Sequence, residues 1–243
     1  MDWVPGRRPV LECLRAGKRK AHKLFLLQGA KGLESLREAA GDVPIVECAR
    51  AELDRLLPHA LHQGVLLQAD PLPILNADAW TRSSFPDDSI IVALDGVEDP
   101  HNFGAIVRSA TACGARAVMF AQDRAAPVSP AAVKSAAGAI EYIDLVQAAN
   151  LVRSIEALKK AGFWIAALHA DAPQPIWEAN LAGRIVLVIG GEGKGIRRLV
   201  SERSDFHLRI PLPGPITTLN ASVSAAIALA ECRRQRAAKP ASS

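Results

Sequence analysis

The chain has 243 residues, 49% apolar and 22% charged, which is enough for two ordinary domains or one large one and excludes a disordered or fibrous protein. Only 5% is aromatic, so an α/β class of buried aliphatic strands and helices is expected in place of an aromatic-rich sandwich. The net charge is +4, from 29 Lys and Arg against 25 Asp and Glu, and any electrostatic partner must therefore be met locally.

In chain order, periodicity predicts a helix over 7–16, a strand over 22–27 (HKLFLL), a helix over 31–40, a strand over 44–47, a helix over 50–57 and a strand over 64–69 (GVLLQA). Residues 1–70 are expected to form a small α/β domain. Pro71, Pro73 and Pro86, with a polar cluster, break every period across 71–88, which reads as a linker. A second domain is expected over 89–243. It takes a strand over 90–94 (IIVAL), a helix over 103–113, a strand over 116–120, a short helix over 130–137, a strand over 142–146 and a helix over 150–161. Strands over 163–168 and 184–189 (RIVLVI), a short helix over 195–201, a strand over 207–210 and a helix over 221–236 complete it, and the ending AAKPASS reads as frayed.

The first 31 residues carry eight basic groups (Arg7, Arg8, Arg15, Lys18, Arg19, Lys20, Lys23 and Lys31) against Asp2 and Glu12. Such a run either tracks nucleic-acid phosphates or forms a solvated face, and charge alone favours neither. Cys13, Cys48, Cys113 and Cys232 form no C-x-x-C pair, so no metal cluster and no disulfide scaffold is expected. With no apolar run of leader or membrane-spanning length, a cytoplasmic protein without a membrane partner is expected.

Strands apolar on both faces imply a mostly parallel sheet between helices, with ligands at the carboxyl ends of the strands. The loops after residues 94, 168, 189 and 210 are thus the candidate sites. In LDGVEDPHNFGAIVRSATACGA (94–115), Asn102 sits where a helix cap is wanted and Gly114 where the helix is left. Phe103, Ile106, Val107, Ala110 and Cys113 make an apolar stripe, which turns Arg108 outward, either into solvent or into a cleft. LVIGGEGKGI (187–196) runs a buried strand into Gly190, Gly191, Gly193 and Gly195, permitting close backbone approach to a ligand. It lacks the spacing of a P-loop or of G-x-G-x-x-G. Glu192 is there either an exposed turn carboxylate or a functional one. In IPLPGPITTLNASVSAAIALAE (210–231), three prolines stiffen the approach to a helix opened by Asn220.

DPHNFGAIVRSA, VIGGEGKGI and IPLPGPITTLNASVS, in this order and spacing, closely resemble the three motifs of the SpoU family of RNA ribose 2′-O-methyltransferases, which use S-adenosyl-L-methionine (AdoMet). The N-terminal GRRPVLECLRAGKRKAHKLFL and HQGVLLQA resemble the small L30e-like RNA-binding domain that precedes the catalytic domain in members acting on large-subunit ribosomal RNA. The resemblance implies a SPOUT α/β knot with a deep C-terminal trefoil, a homodimer, and methylation of a guanosine ribose in 23S rRNA. Carried over by motif position, it implies Asn102, Arg108, Glu192 and Asn220 as the catalytic set. It implies AdoMet contacts at Gly190, Gly191, Ile210, Leu212 and Leu219, and RNA contacts at Arg7, Arg8, Arg19 and Lys20. Thr218 stands where the family usually has Ser. The other readings are a transfer-RNA methyltransferase and a non-catalytic RNA-binding assembly protein.

Overall fold

Residues 1–123 and 128–238 are described by the structure, a computed structural model that divides into two units. Most of the AAKPASS ending lies outside the described residues. The first unit spans Met1–Pro73 with Ala137–Tyr142, and the second Ile74–Ala136 with Ile143–Ser243.

The first unit contains β1 (Asp2–Pro5), α1 (Arg7–Ala16), β2 (Ala21–Leu27), α2 (Glu34–Ala40), β3 (Ile45–Cys48), α3 (Arg50–Leu56) and β4 (Val65–Ala69). Its sheet runs β1-β4-β2-β3, with β4 antiparallel to β1 and β2, and β2 parallel to β3. Alternation along β2 explains the layering. Leu24 and Leu26 pack with Val10, Cys13 and Leu36 on one face, while Phe25 packs with Leu53 and Leu66 on the other. The sequence missed β1, since four residues ending in proline are too few to show a period; Pro is tolerated here because the strand lies at the sheet's edge. The second helix opens at Glu34, three residues later than expected, after Gly32 turns the chain at φ +72°.

One expectation fails in this unit. Arg19 is 8% exposed and forms a two-point pair with Glu141, donating from Nε to Oε2 at 3.1 Å and from Nη2 to Oε1. Its Nη1 donates to the Asp70 carbonyl at 3.3 Å. A guanidinium committed to a buried carboxylate is not offered to phosphates, so Arg19 is a structural residue and not an RNA contact. Replacing Glu141 with Ala strands this cation, and a loss of about 3–5 kcal/mol in urea unfolding is expected. An unchanged midpoint would show that the pair is solvated. Burial, and next the Glu141 carboxylate, push the Cys13 thiol up to about 11, so it packs as a small apolar group.

The second unit contains β5 (Ile74–Asn76), α4 (Ala77–Trp80), β6 (Ile90–Asp95), α5 (Pro100–Ala112), β7 (Ala117–Ala121), α6 (Pro130–Ala136) and β8 (Asp144–Ala148). It continues with α7 (Leu151–Lys160), β9 (Trp164–Leu168), β10 (Gln174–Pro175), β11 (Ile185–Gly190), α8 (Arg198–Glu202), β12 (Phe206–Arg209) and α9 (Ala221–Ala237). All eight strands are parallel, in the order β10-β12-β9-β11-β6-β7-β8-β5. Every residue of β6 and β7 is buried, as a sheet covered on both faces requires. Ile91, Ala93, Met119 and Val186 meet Ile155, Leu158 and Val200 on one face. On the other, Phe103 of α5 meets Phe120 edge-on at 5.3 Å. Gly104 lets α6 approach α5 closely, because a Cβ there would lie 2.4 Å from the Ala132 carbonyl oxygen.

The expected linker over 71–88 is structured for much of its length. Asn76 caps α4 by accepting from Asp78 N at 2.9 Å, and β5 pairs with β8. Trp80 Nε1 donates to Asp144 at 3.0 Å, and Phe85 packs between Trp80 and Phe163. The prolines break the period without freeing the chain, since the buried aromatics anchor it. Among the described residues no helix is long and apolar enough to cross a membrane.

Candidate active site

The four loops singled out by strand polarity leave β12, β9, β11 and β6, which are consecutive neighbours in the sheet. Register brings the last residues of two of them together, Asp95 beside Gly190. The glycine-rich loop then folds over the loop after β6. Gly191 N donates to the Asp95 carbonyl at 2.9 Å, and Gly195 N to the Gly191 carbonyl at 3.1 Å. Asp95, fully buried, accepts from Arg197 N at 2.7 Å and from Arg197 Nε at 2.5 Å. This charge-assisted pair fixes both ends of the loop. Asp95 and Arg197 were not identified from sequence. The strand-end position of Asp95 was the available signal; nothing local marked Arg197.

Three side chains from three loops converge here. Asn102 Nδ2 donates to Glu192 Oε1 at 2.7 Å, and Asn220 Nδ2 donates to Asn102 Oδ1 at 2.9 Å and to Glu192 Oε1 at 3.2 Å. Asn220 caps α9 as expected, its Oδ1 accepting from Ser222 N at 2.8 Å and Ser222 Oγ at 2.6 Å. Asn102 does not cap α5. Pro100 presets the first helical residue, and Asp99 is the cap, accepting from His101 N at 2.9 Å. Asn102 is thus the third residue of the helix, in its first turn, buried, with its amide free for Glu192. Beside the network opens a cavity of about 560 Å³, lined by Asp95, Glu98, Asn102, Glu192, Lys194 and Arg197 among others. Among the described residues, Glu192 Oε2 has no hydrogen-bond partner.

Arg108 is not part of this cluster. It is exposed and, six residues beyond Asn102, lies about 9 Å further along α5. It makes no ion pair or hydrogen bond among the described residues. Of the stripe expected on that helix, Phe103, Ile106, Val107 and Ala110 are buried, while Cys113 is the half-buried C-cap beyond its last residue.

A second cavity, of about 130 Å³, is lined by Gly190 at the end of β11. Leu168, Ile189, Gly190, Ile210, Leu212 and Leu219 give it an apolar lining, with Thr217, Thr218, Ser224 and His169 as polar members. Gly190 admits no side chain, because a Cβ would meet Gly195 C at 2.4 Å and Ile196 N at 2.6 Å. Gly191 is tighter still, its Cβ falling 1.7 Å from the Gly96 carbonyl oxygen. Of the first-unit candidates, Arg7, Arg8 and Lys20 are exposed. Arg7 Nε donates to the Gln63 carbonyl at 3.4 Å.

Fold and site together define an α/β domain that binds ligands at the carboxyl ends of adjacent parallel strands. The SpoU rRNA Methylase family profile matches residues 89–230, and that for RNA 2′-O ribose methyltransferase substrate binding matches residues 3–75. The chain belongs to the SpoU rRNA methylase family and is a methyltransferase. It is 41% identical over 242 residues to an uncharacterized tRNA/rRNA methyltransferase of Mycolicibacterium vanbaalenii, covering 97% of this chain and 77% of that one. It is 35% identical over 247 residues to the 23S rRNA (guanosine-2′-O-)-methyltransferase RlmB of Pseudomonas putida, covering 98% of each. The fold matches that of the SpoU methyltransferase AviRb of Streptomyces viridochromogenes, solved with AdoMet, with TM-score 0.80, 24% identity, and 98% and 91% of the two chains covered.

Proposed function

We propose that this protein transfers the methyl group of AdoMet to the ribose 2′-OH of one guanosine in 23S rRNA, acting as a cytoplasmic homodimer. The observation that carries this reading is the joining of Asn102, Glu192 and Asn220 into one network beside the apolar cavity of Gly190, Ile210, Leu212 and Leu219. The ribosomal target is supported by the nearly full-length similarity to RlmB and by the substrate-binding match over residues 3–75.

The lining of the second cavity fits AdoMet. Aliphatic walls suit an adenine and a thioether stem, and Gly190 and Gly191 bring backbone where side chains would collide. Gly190, Gly191, Ile210, Leu212 and Leu219 would hold the donor. When bound, AdoMet would supply an electrophilic methyl group on sulfur for transfer to the ribose oxygen, leaving as the neutral thioether. The chain's own work is orientation. Asn102 and Asn220 fix Glu192, whose free Oε2 is placed to accept from a ribose hydroxyl, and holding acceptor and donor in line supplies several kcal/mol. The 2′-OH proton is released to solvent as the oxygen attacks.

Arg108 is assigned to the acceptor as a cation. A guanidinium stays protonated at neutral pH, so it stabilises the developing alkoxide or pins the neighbouring phosphate without the cost of deprotonation. Its exposure and its separation from the network within one chain support its delivery to the site of a partner subunit. The trefoil knot is proposed from the family resemblance alone.

In the first unit Arg7, Arg8 and Lys20 would meet phosphates. Neutralising all three should flatten the log–log salt dependence of rRNA binding by up to about three. An unchanged slope would return them to a solvated face. The test of the function itself is donor binding by calorimetry with tritiated-methyl transfer to 23S rRNA, using transfer RNA as competitor; transfer to 23S rRNA that transfer RNA does not suppress is expected.

A further inference from the structure

The cavity beside Gly190 has a titratable wall that the network above does not use. His169 follows β9 and lines it with Leu168, Gly190, Leu208 and Leu219. Its backbone is tied down, His169 N donating to the Leu208 carbonyl at 2.9 Å. Its Nε2 lies 3.3 Å from Ser201 Oγ, and the same hydroxyl lies 3.5 Å from His207 Nδ1. The two imidazole rings are 5.4 Å apart.

A hydroxyl carries one proton, so Ser201 donates to one ring and accepts from the other. Two neutral imidazoles and one hydroxyl therefore make a satisfied, uncharged set. One added proton turns Ser201 into an acceptor from both rings. A second would place two cations 5.4 Å apart. The other groups around His169 leave it without a fixed counter-ion. Asp171 attracts its protonated form, but burial and then His207 oppose it and hold the imidazole below its ordinary range. Arg209 of β12 turns aside to the carbonyls of Ala172 and Pro173. Glu202 of α8 is paired with Arg198 at 2.6 Å.

AdoMet and its product S-adenosylhomocysteine share the same adenosine, amino and carboxylate groups. They differ by one methyl and one positive charge on sulfur. A wall that gains a cation on protonation must therefore discriminate between them. We propose that His169, with Ser201 and His207, is a specificity-determining residue of the donor pocket: neutral, it admits the cationic donor, and protonated, it favours the uncharged product. This rests on the reading of the cavity as the donor pocket.

The test is calorimetric binding of AdoMet and of S-adenosylhomocysteine to the full chain at pH 7.5 and pH 5.0. Comparing the two ligands cancels the titration of their shared groups. The preference should move toward the product by about fivefold at the lower pH, as the imidazole, held below its ordinary range by burial and His207, begins to take up its proton. In His169→Gln the ratio should be the same at both pH values, whatever the absolute affinities. On the unmodified protein, the NMR titration midpoint of His169 should fall when AdoMet binds and stay where it is when the product binds. A wild-type ratio that does not change with pH overturns the proposal, as does a pH dependence that survives in His169→Gln. Binding at pH 7.5 that is indifferent to Leu219→Trp, a substitution that fills the cavity, would place the donor elsewhere and overturn the pocket reading as well.

Discussion

Arg108→Ala should reduce the rate of methyl transfer by at least about a thousandfold while AdoMet affinity stays within about tenfold, because the guanidinium is assigned to the acceptor and not to the donor. Single-turnover transfer and calorimetry separate the two. Arg108→Lys distinguishes the chemical roles. A fixed charge with forked donors cannot be replaced by a single ammonium, and a loss of about 2–3 kcal/mol in transition-state stabilisation is expected, with no displacement of the pH profile. Were Arg108 a base, lysine, which deprotonates more readily, would keep the rate and shift the profile to lower pH. Subunit origin follows from mixing. Refolding Arg108→Ala with Glu192→Ala should restore about a quarter of wild-type activity, since half the dimers are mixed and each has one intact site. No restoration would put Arg108 and Glu192 of the same chain in one site.

Gly191→Ala should weaken donor binding strongly through backbone collision. The new Cβ falls 1.7 Å from the Gly96 carbonyl oxygen, and neither loop can yield while Asp95 holds Arg197 N at 2.7 Å. Displacing the loop also pulls Glu192 from Asn102 and Asn220. A loss of at least about fiftyfold in AdoMet affinity is expected, the equivalent of about 2–3 kcal/mol of overpacking. Gly193→Ala is the control. It has φ +83° but nothing within 4 Å of the added carbon, so it should cost only the left-handed strain of about 1–2 kcal/mol in stability and leave binding nearly intact. Equal losses in both variants would mean that loop flexibility, and not the crossing at Gly96, shapes the pocket.

Six of the eight strands of the second unit, all but the short β5 and β10, were legible because burial on both faces leaves continuous apolar runs such as IIVAL and RIVLVI. Their polarity pointed to the loops that the structure gathers at one end of the sheet. What sequence could not weigh was competition between neighbours. Asp99, Pro100 and Asn102 all carry helix-start signals, and only the geometry shows that Asp99 caps the helix and frees Asn102 for Glu192. Proline density concealed Trp80 and Phe85, whose anchoring is a matter of distant partners. Arg19 looked like one more cation in a basic run because its carboxylate lies 122 residues away. The pairing of Asp95 with Arg197 and the sharing of Ser201 by two histidines are long-range in the same sense.

The central claim is ribose methylation of one guanosine in large-subunit RNA, and the direct measurement is nucleoside mass spectrometry of 23S rRNA after incubation with the purified protein and methyl-labelled AdoMet. The expected product is 2′-O-methylguanosine at a single position, absent with Arg108→Ala. Label on a base, or no label from folded protein that binds AdoMet and 23S rRNA, would contradict it.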